Sequence, residues 1–514
     1  MRGRNFALVL ISFLALSNLG LAAPTINLSK RIGPPTTRIF VSGSGFEANV
    51  GVNIYFDTTD QALVVTNGQG QFHNAVIHAP RSAHPGEHWV TALERNNDEG
   101  DQEAFVVNTN WPAFNFQSDH AGWNPYENVL DQNNVSGLQL KWSNLQFANI
   151  GGGPVVVDGV VYTGQYALDA ATGTILWQQN VGPLVSVPTV ANSIVYVGSY
   201  DGLYALASKN GAILWKYTTG SEAGSPTFSS GVVYFGCHDG NVYALNAASG
   251  KLLWSYATGS PADGPPAVAN ASVYISAGFS LYAIDAKTGN FLWSYNGGNT
   301  AGEPSVANGV VYFGVSGGSL YALDASSGDR LWDYPTGSFV YSCPAIALGV
   351  VYVDAWDGFL YALDAATGNF LWDYPTGPGV SVVVANGVVY AGNASIFGTI
   401  FAIGATTGNL LWSYVLNYPA FYSEPVVANG VLYASGEVVD AFSLDLGTLQ
   451  NEPSSDNRPK LMTLHPTLEA LNPTIVNSRL HSLRIRRLKS MTVIGIPRQS
   501  VPEPLHYHRL RKNC

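Results

Sequence analysis

A chain of 514 residues is too long for one ordinary hydrophobic core, so several domains or a large repeat array are required. Charged residues make up only 11% of it, while 55 glycines and 12% aromatic residues suit many short strands joined by tight turns. The net charge of −11 is segregated: residues 110–450 hold 22 acids against 6 Lys or Arg, an acidic body that excludes nucleic acid as the partner.

In chain order, residues 1–22 read as a secretory signal peptide. Arg2 and Arg4 form a basic start, Phe6 to Leu16 an apolar run, and Gly20-Leu21-Ala22 a small-residue cleavage site. The run is shorter than the roughly 20 residues a membrane-spanning helix needs. The expectation is export to the periplasm or the extracellular space, with no transmembrane segment.

Residues 24–109 alternate apolar and polar positions, as in Arg38-Ile39-Phe40-Val41 and Val52-Asn53-Ile54-Tyr55-Phe56, with turn signals at Gly43-Ser44-Gly45 and Asn67-Gly68. This predicts a small β-sandwich. The stretch VSGSGFEANVGVNIYFD, with its Gly-x-Gly-Phe turn, resembles the immunoglobulin-like IPT/TIG family, a resemblance that implies a spacer or adhesive module. Residues 110–137 lack periodicity but hold Trp111, Phe114, Phe116, Trp123 and Tyr126. Aromatics in that number need burial, so the segment is expected to be an ordered connector lying across the next domain.

The block YALDASSGDRLW, ending at Trp332, recurs with endings at Trp177, Trp215, Trp254, Trp293, Trp372 and Trp412, at steps of 38 to 40 residues. Each unit reads as four short strands, which makes it a propeller blade. Pro425 to Asp445 supplies three strands with no Trp strand after them, and Leu138 to Trp142 supplies a Trp strand with no inner strands before it. Pairing the two predicts an all-β, eight-bladed propeller over 138–445, closed by its N-terminal outer strand, with Trp142 and the seven repeat tryptophans docking blade on blade.

The block Ala-x-Asp-x-x-x-Gly-x-x-x-Trp resembles the tryptophan-docking motif of the PQQ-repeat propellers, quinoprotein-like and outer-membrane assembly-factor-like alike. That resemblance implies one of two roles. Quinoprotein alcohol and sugar dehydrogenases hold pyrroloquinoline quinone (PQQ) and Ca²⁺ on the axis; the assembly-factor branch binds proteins and carries no cofactor. Dehydrogenase chemistry asks for a Ca²⁺ cage, cationic groups for three quinone carboxylates and, in alcohol-oxidising members, a Cys-Cys pair. No Cys-Cys occurs, and Lys209, Lys251, Lys287 and Arg330 fall in outer turns or strands. The expectation is a monomeric, non-enzymatic, protein-binding or cell-envelope scaffold without cofactor or resident metal.

Counting nine back from the second-strand Tyr of each blade gives an axial ring of Gly153, Val187, Ser225, Pro265, Glu303, Cys343, Ser381 and Glu424. Successive strands alternate direction, so the same face carries Tyr200-Asp201, His238-Asp239 and Trp356-Asp357. Glu303, Glu424, Cys343, Ser225, His238 and Trp356 are therefore the candidate ligand contacts, the two carboxylates suiting a cation or a basic peptide loop. His238 and His120 stand in no Ser/His/Asp order and no His-x-x-x-His spacing, so no catalytic residue is assigned. Cys237, Cys343 and Cys514, odd in number and far apart, give neither a disulfide framework nor a thiolate zinc site. Residues 451–514 hold 4 acids against 11 Lys or Arg without any repeat, and read as a basic, disordered tail.

Overall fold

The computed structural model describes residues 23–445, apart from 145–152, 184–185, 263, 300, 395–397, 417–424 and 437 and the side chain of Val380. The signal segment, Glu424, Cys514 and the basic tail lie outside the described residues.

Short alternating runs become strands, and the strands collect into sheets. Near the N-terminus, Arg38–Ser44 pairs with Thr25–Leu28 and Phe72–His78 in one sheet. A second sheet holds Gly51–Phe56, Thr59–Val65, Gly86–Glu94, Gly100–Val107 and Ile32–Gly33. Both send every other side chain into one core, in which Ile39, Val41, Val52, Ile54, Val90 and Phe105 are buried. Gly45 turns the chain with φ +81°, and Phe46 beyond it packs on Phe72 with ring centroids 5.5 Å apart.

From Leu138 onward one unit repeats. In the sheet that runs from Ser305 to Pro335, the strands Ser305–Ala307, Val310–Val315, Ser319–Asp324 and Arg330–Pro335 pair antiparallel in chain order. Residue chemistry sets the last hairpin. The Asp324 carboxylate accepts the backbone N–H groups of Ser326 and Ser327 at 2.9 and 3.0 Å, and Gly328 completes the turn at φ +77°. Eight sheets of this plan occur among the described residues. The first strands of the first seven lie against one another in chain order, and Val426–Ala428 of the last lies against Val155–Val157 of the first. That is a ring of sheets, a β-propeller.

Neighbouring blades are clamped by the repeat block itself. The Trp293 indole N–H and the Tyr274 hydroxyl donate to one carbonyl of the next blade, Ala325, at 3.1 and 2.9 Å. The same paired donation joins Trp215 and Tyr196 to Ala247, Trp254 and Tyr234 to Ala286, Trp332 and Tyr312 to Ala365, and Trp372 and Tyr352 to Ala405. Trp177 and Trp142 donate to Ser208 and Ala170. Trp412 packs edge-on against Phe442, with centroids 5.4 Å apart. The Trp293 ring also covers Gly328, where an added Cβ would sit 2.7 Å from the indole. The glycine therefore serves two needs, the positive φ and the room for the ring.

The last sheet is made from both ends of the array. Leu138–Asn144 pairs antiparallel with Val439–Leu444, Leu138 opposite Leu444 and Leu140 opposite Phe442. This gives the C-terminal strands the outer neighbour that their own sequence lacks.

Candidate functional site

Two features distinguish the axis from the repeating walls. The first is the connector, which runs inside the ring and bonds to the middle of the first strands. Trp111 exchanges backbone hydrogen bonds with Val156 at 2.7 and 2.8 Å. The carbonyls of Pro112, Ser118, Asp119, Ala121 and Gly122 then accept the N–H groups of Val190, Val268, Val306, Ile346 and Val384. His120 completes the circuit through Nε2, 3.1 Å from Thr227 Oγ1, and the Asn124 amide donates to the Val427 carbonyl at 2.8 Å. Each blade's first strand is thus met by the connector. Trp123–Asn124 adds itself as a fifth, parallel strand beside Val384 and Ala385.

Burial of the connector explains its aromatics. Trp111, Phe114 and Phe116 are buried in the core that also holds Val155, Val427 and Tyr433, with Tyr126 at its margin, whereas Trp123 packs at the margin of a neighbouring core that holds Ala345, Tyr352 and Val384. His120 is enclosed against the Phe114 ring, and burial holds its pKa down at about 3, so the imidazole is neutral. Its role is packing within the plug.

The second feature is the face on which the chain enters each blade. Glu303 lies in a cavity of about 250 Å³ with Pro261, Pro265, Gly302 and Tyr341. Partial burial, without a charged partner among the described residues, pushes its pKa up to about 7. Tyr341 links the cavity to an exposed aromatic cluster: Phe339, Tyr341 and Trp356 have centroid separations of 5.7 to 6.3 Å and remain 46%, 40% and 49% exposed. Large aromatic surface left in water at that density is unusual for a loop corner.

The remaining sequence candidates lie elsewhere. Ser225 is buried and accepts the Val187 N–H at 2.9 Å. Cys343 is buried with its sulfur 3.0 Å from Ser305 Oγ, where it ties adjacent first strands together. His238 is exposed at another corner, its Nδ1 3.9 Å from a Glu222 carboxylate oxygen. Glu424 lies outside the described residues. Cys237 and Cys343 are both unbridged. No group of three His, Cys, Asp or Glu side chains converges among the described residues.

One residue escaped the sequence reading. Asp354 stands two positions after Tyr352, where the other blades carry Gly164, Gly198, Gly236, Ser276, Gly314, Gly392 and Ser435. It is fully buried, accepts a hydrogen bond from Thr376 Oγ1 at 3.1 Å, and burial raises its pKa well above the usual carboxylate range. Room is made by Gly379 of the next blade, whose Cβ, were there one, would fall 1.8 Å from the Asp354 carboxyl carbon. Comparison of the repeats column by column exposes this exchange.

The repeat geometry has a known family. Three overlapping stretches, 127–296, 277–437 and 374–488, match the family model described as outer membrane protein assembly factor BamB. The chain belongs to this PQQ-repeat propeller family. No curated protein matches it. Among solved structures it resembles a quinohemoprotein alcohol dehydrogenase from Pseudomonas putida HK5 at 17% identity and TM-score 0.56, over 65% of this chain and 80% of that one. It also resembles a computationally designed protein, Ika8, at 18% identity and TM-score 0.53, over 59% and 99%. BamB from Moraxella catarrhalis aligns at 22% identity and TM-score 0.49, over 60% and 97%. At these identities the first two likenesses establish the fold alone. No helix among the described residues is long and apolar enough to cross a membrane.

Proposed function

We propose that this chain is an exported, non-enzymatic, eight-bladed propeller with an immunoglobulin-like N-terminal module, acting as a protein-binding or cell-envelope scaffold. The observation that carries the reading is the connector: Trp111 to Asn124 fill the axial space and bond to first strands all round the ring. An axis built this way supports a packed core over a cofactor chamber.

The charges support the same reading. PQQ would need cations against its three carboxylates. The body's cations are Lys141, Lys209, Lys216, Lys251, Lys287 and Arg330; Lys216 is paired with Asp201 at 2.6 Å and Arg330 with Asp333 at 3.2 Å. Those residues do not fit the quinone. What the chain offers instead is the half-exposed aromatic cluster beside the partly buried carboxylate of Glu303, a combination suited to a protein surface.

The experiment has two arms. Purified protein is scanned for absorbance after addition of PQQ and Ca²⁺ and assayed for dye-linked alcohol and sugar oxidation, with no spectral change and no turnover expected. Affinity capture from an envelope extract should enrich a defined protein. Quinone-dependent turnover overturns the proposal.

A further inference from the structure

Glu303 has neither a hydrogen bond nor an ion pair among the described residues, and it sits partly buried in a cavity that opens beside Tyr341. A partly buried carboxylate without a counter-charge is costly unless something supplies the charge. The same face carries Asp201, Glu222, Asp239 and Asp357. Its one described cation, Lys216, is already held by Asp201 at 2.6 Å. Beside the cavity stand Phe339, Tyr341 and Trp356, half-exposed and in mutual contact, with Tyr341 and Trp356 at an interplanar angle of 82°. A guanidinium satisfies both features, through a charge-assisted bond to a carboxylate and through stacking on aromatic faces.

We propose that this face docks a cationic peptide segment of a partner protein, one Arg side chain entering the Glu303 cavity while adjoining apolar residues lie on Phe339, Tyr341 and Trp356. The proposal rests on the scaffold reading above and names the partner's chemistry. An acidic or phosphorylated segment is excluded by the charge of the face, and a neutral one would leave Glu303 without a counter-ion.

The test uses the full chain and a fluorescein-labelled dodecapeptide alternating Arg with Leu, read by anisotropy, with the Glu-for-Arg peptide as control. Glu303→Gln and Trp356→Ala should each weaken the Arg peptide by about tenfold, the equivalent of about 1.4 kcal/mol. Asp329→Asn, in the turn between third and fourth strands at the other end of its blade, should change it by less than about twofold, since exposed charges are screened. Equal losses in all three variants, or equal binding of the Glu peptide, overturn the proposal. So does binding of cellohexaose that depends on Trp356 while the Arg peptide does not, which would reassign the aromatics to sugar stacking. If the Glu303→Gln, Trp356→Ala double variant still captures the envelope partner at full yield, this docking site falls while the scaffold reading stands.

Discussion

At the scale of single residues, the inter-blade clamp ties a large apolar surface and two hydrogen bonds to one side chain pair. Trp293 is 8% exposed, so Trp293→Ala should destabilise by about 3–5 kcal/mol, the range for losing a buried aromatic. Trp293→Phe keeps the packing and loses the bond to Ala325, about 1 kcal/mol. Denaturant titration of both variants separates the two contributions, and equal losses would show that the indole N–H dominates. Asp354 and Gly379 give a sharper test because they belong to different blades. Gly379→Ala should cost about 1–3 kcal/mol by overpacking against the carboxyl group, and much less in an Asp354→Gly background. A double-mutant cycle with no coupling would mean that the close approach does not govern the site.

At the scale of elements, the connector is the part that sequence reasoning reached least well. Its aromatics predicted burial, and the repeat pattern predicted strands, turns, docking tryptophans and the sheet shared by both ends, because those features recur and can be compared. The path of Trp111 to Asn124 through the ring recurs nowhere, and its bonds are mostly backbone carbonyls, which no side chain announces. Glu303 was found by counting from the strand tyrosines; its neighbours Phe339 and Tyr341 were not, since they fall in a connection whose sequence does not repeat from blade to blade. The plug also has a pH signature. His120 is neutral when folded, with a pKa of about 3, against an ordinary value of 6.5 in the unfolded chain. Between those values the unfolded state binds more protons, so acidification through that window should lower stability, and the contribution should be fully present above pH 6.5. His120→Gln should flatten part of the stability profile between pH 6.5 and 4, measured by urea midpoints across that range. A profile unchanged from the natural protein would place the acid sensitivity in other groups.

At the scale of the whole molecule, the sheet shared by Leu138–Asn144 and Val439–Leu444 is where the ring depends on residues about three hundred apart in the chain. An open array of blades would expose one unpaired edge of Val439–Leu444 and an apolar blade face at either end, inviting association with another copy. In the ring those surfaces are covered, and a docked Trp stands at each junction between blades, joined at most of them by the Tyr hydroxyl on the same carbonyl. Cooperative unfolding follows from this closure, because loosening the seam removes the neighbour from the first and last blades at once. Leu140→Pro tests the link directly. Leu140 faces Phe442 across the ladder and is 42% exposed, so the substitution removes a strand N–H while sparing the core. Calorimetry should show the propeller transition broadening or splitting, with a melting temperature lower by several degrees. Size-exclusion chromatography should show concentration-dependent oligomers as the uncovered Val439–Leu444 edge finds partners. A variant that stays monomeric and melts in one sharp transition would mean that the axial plug, bonded to first strands all round the ring, is sufficient to hold it closed without the seam.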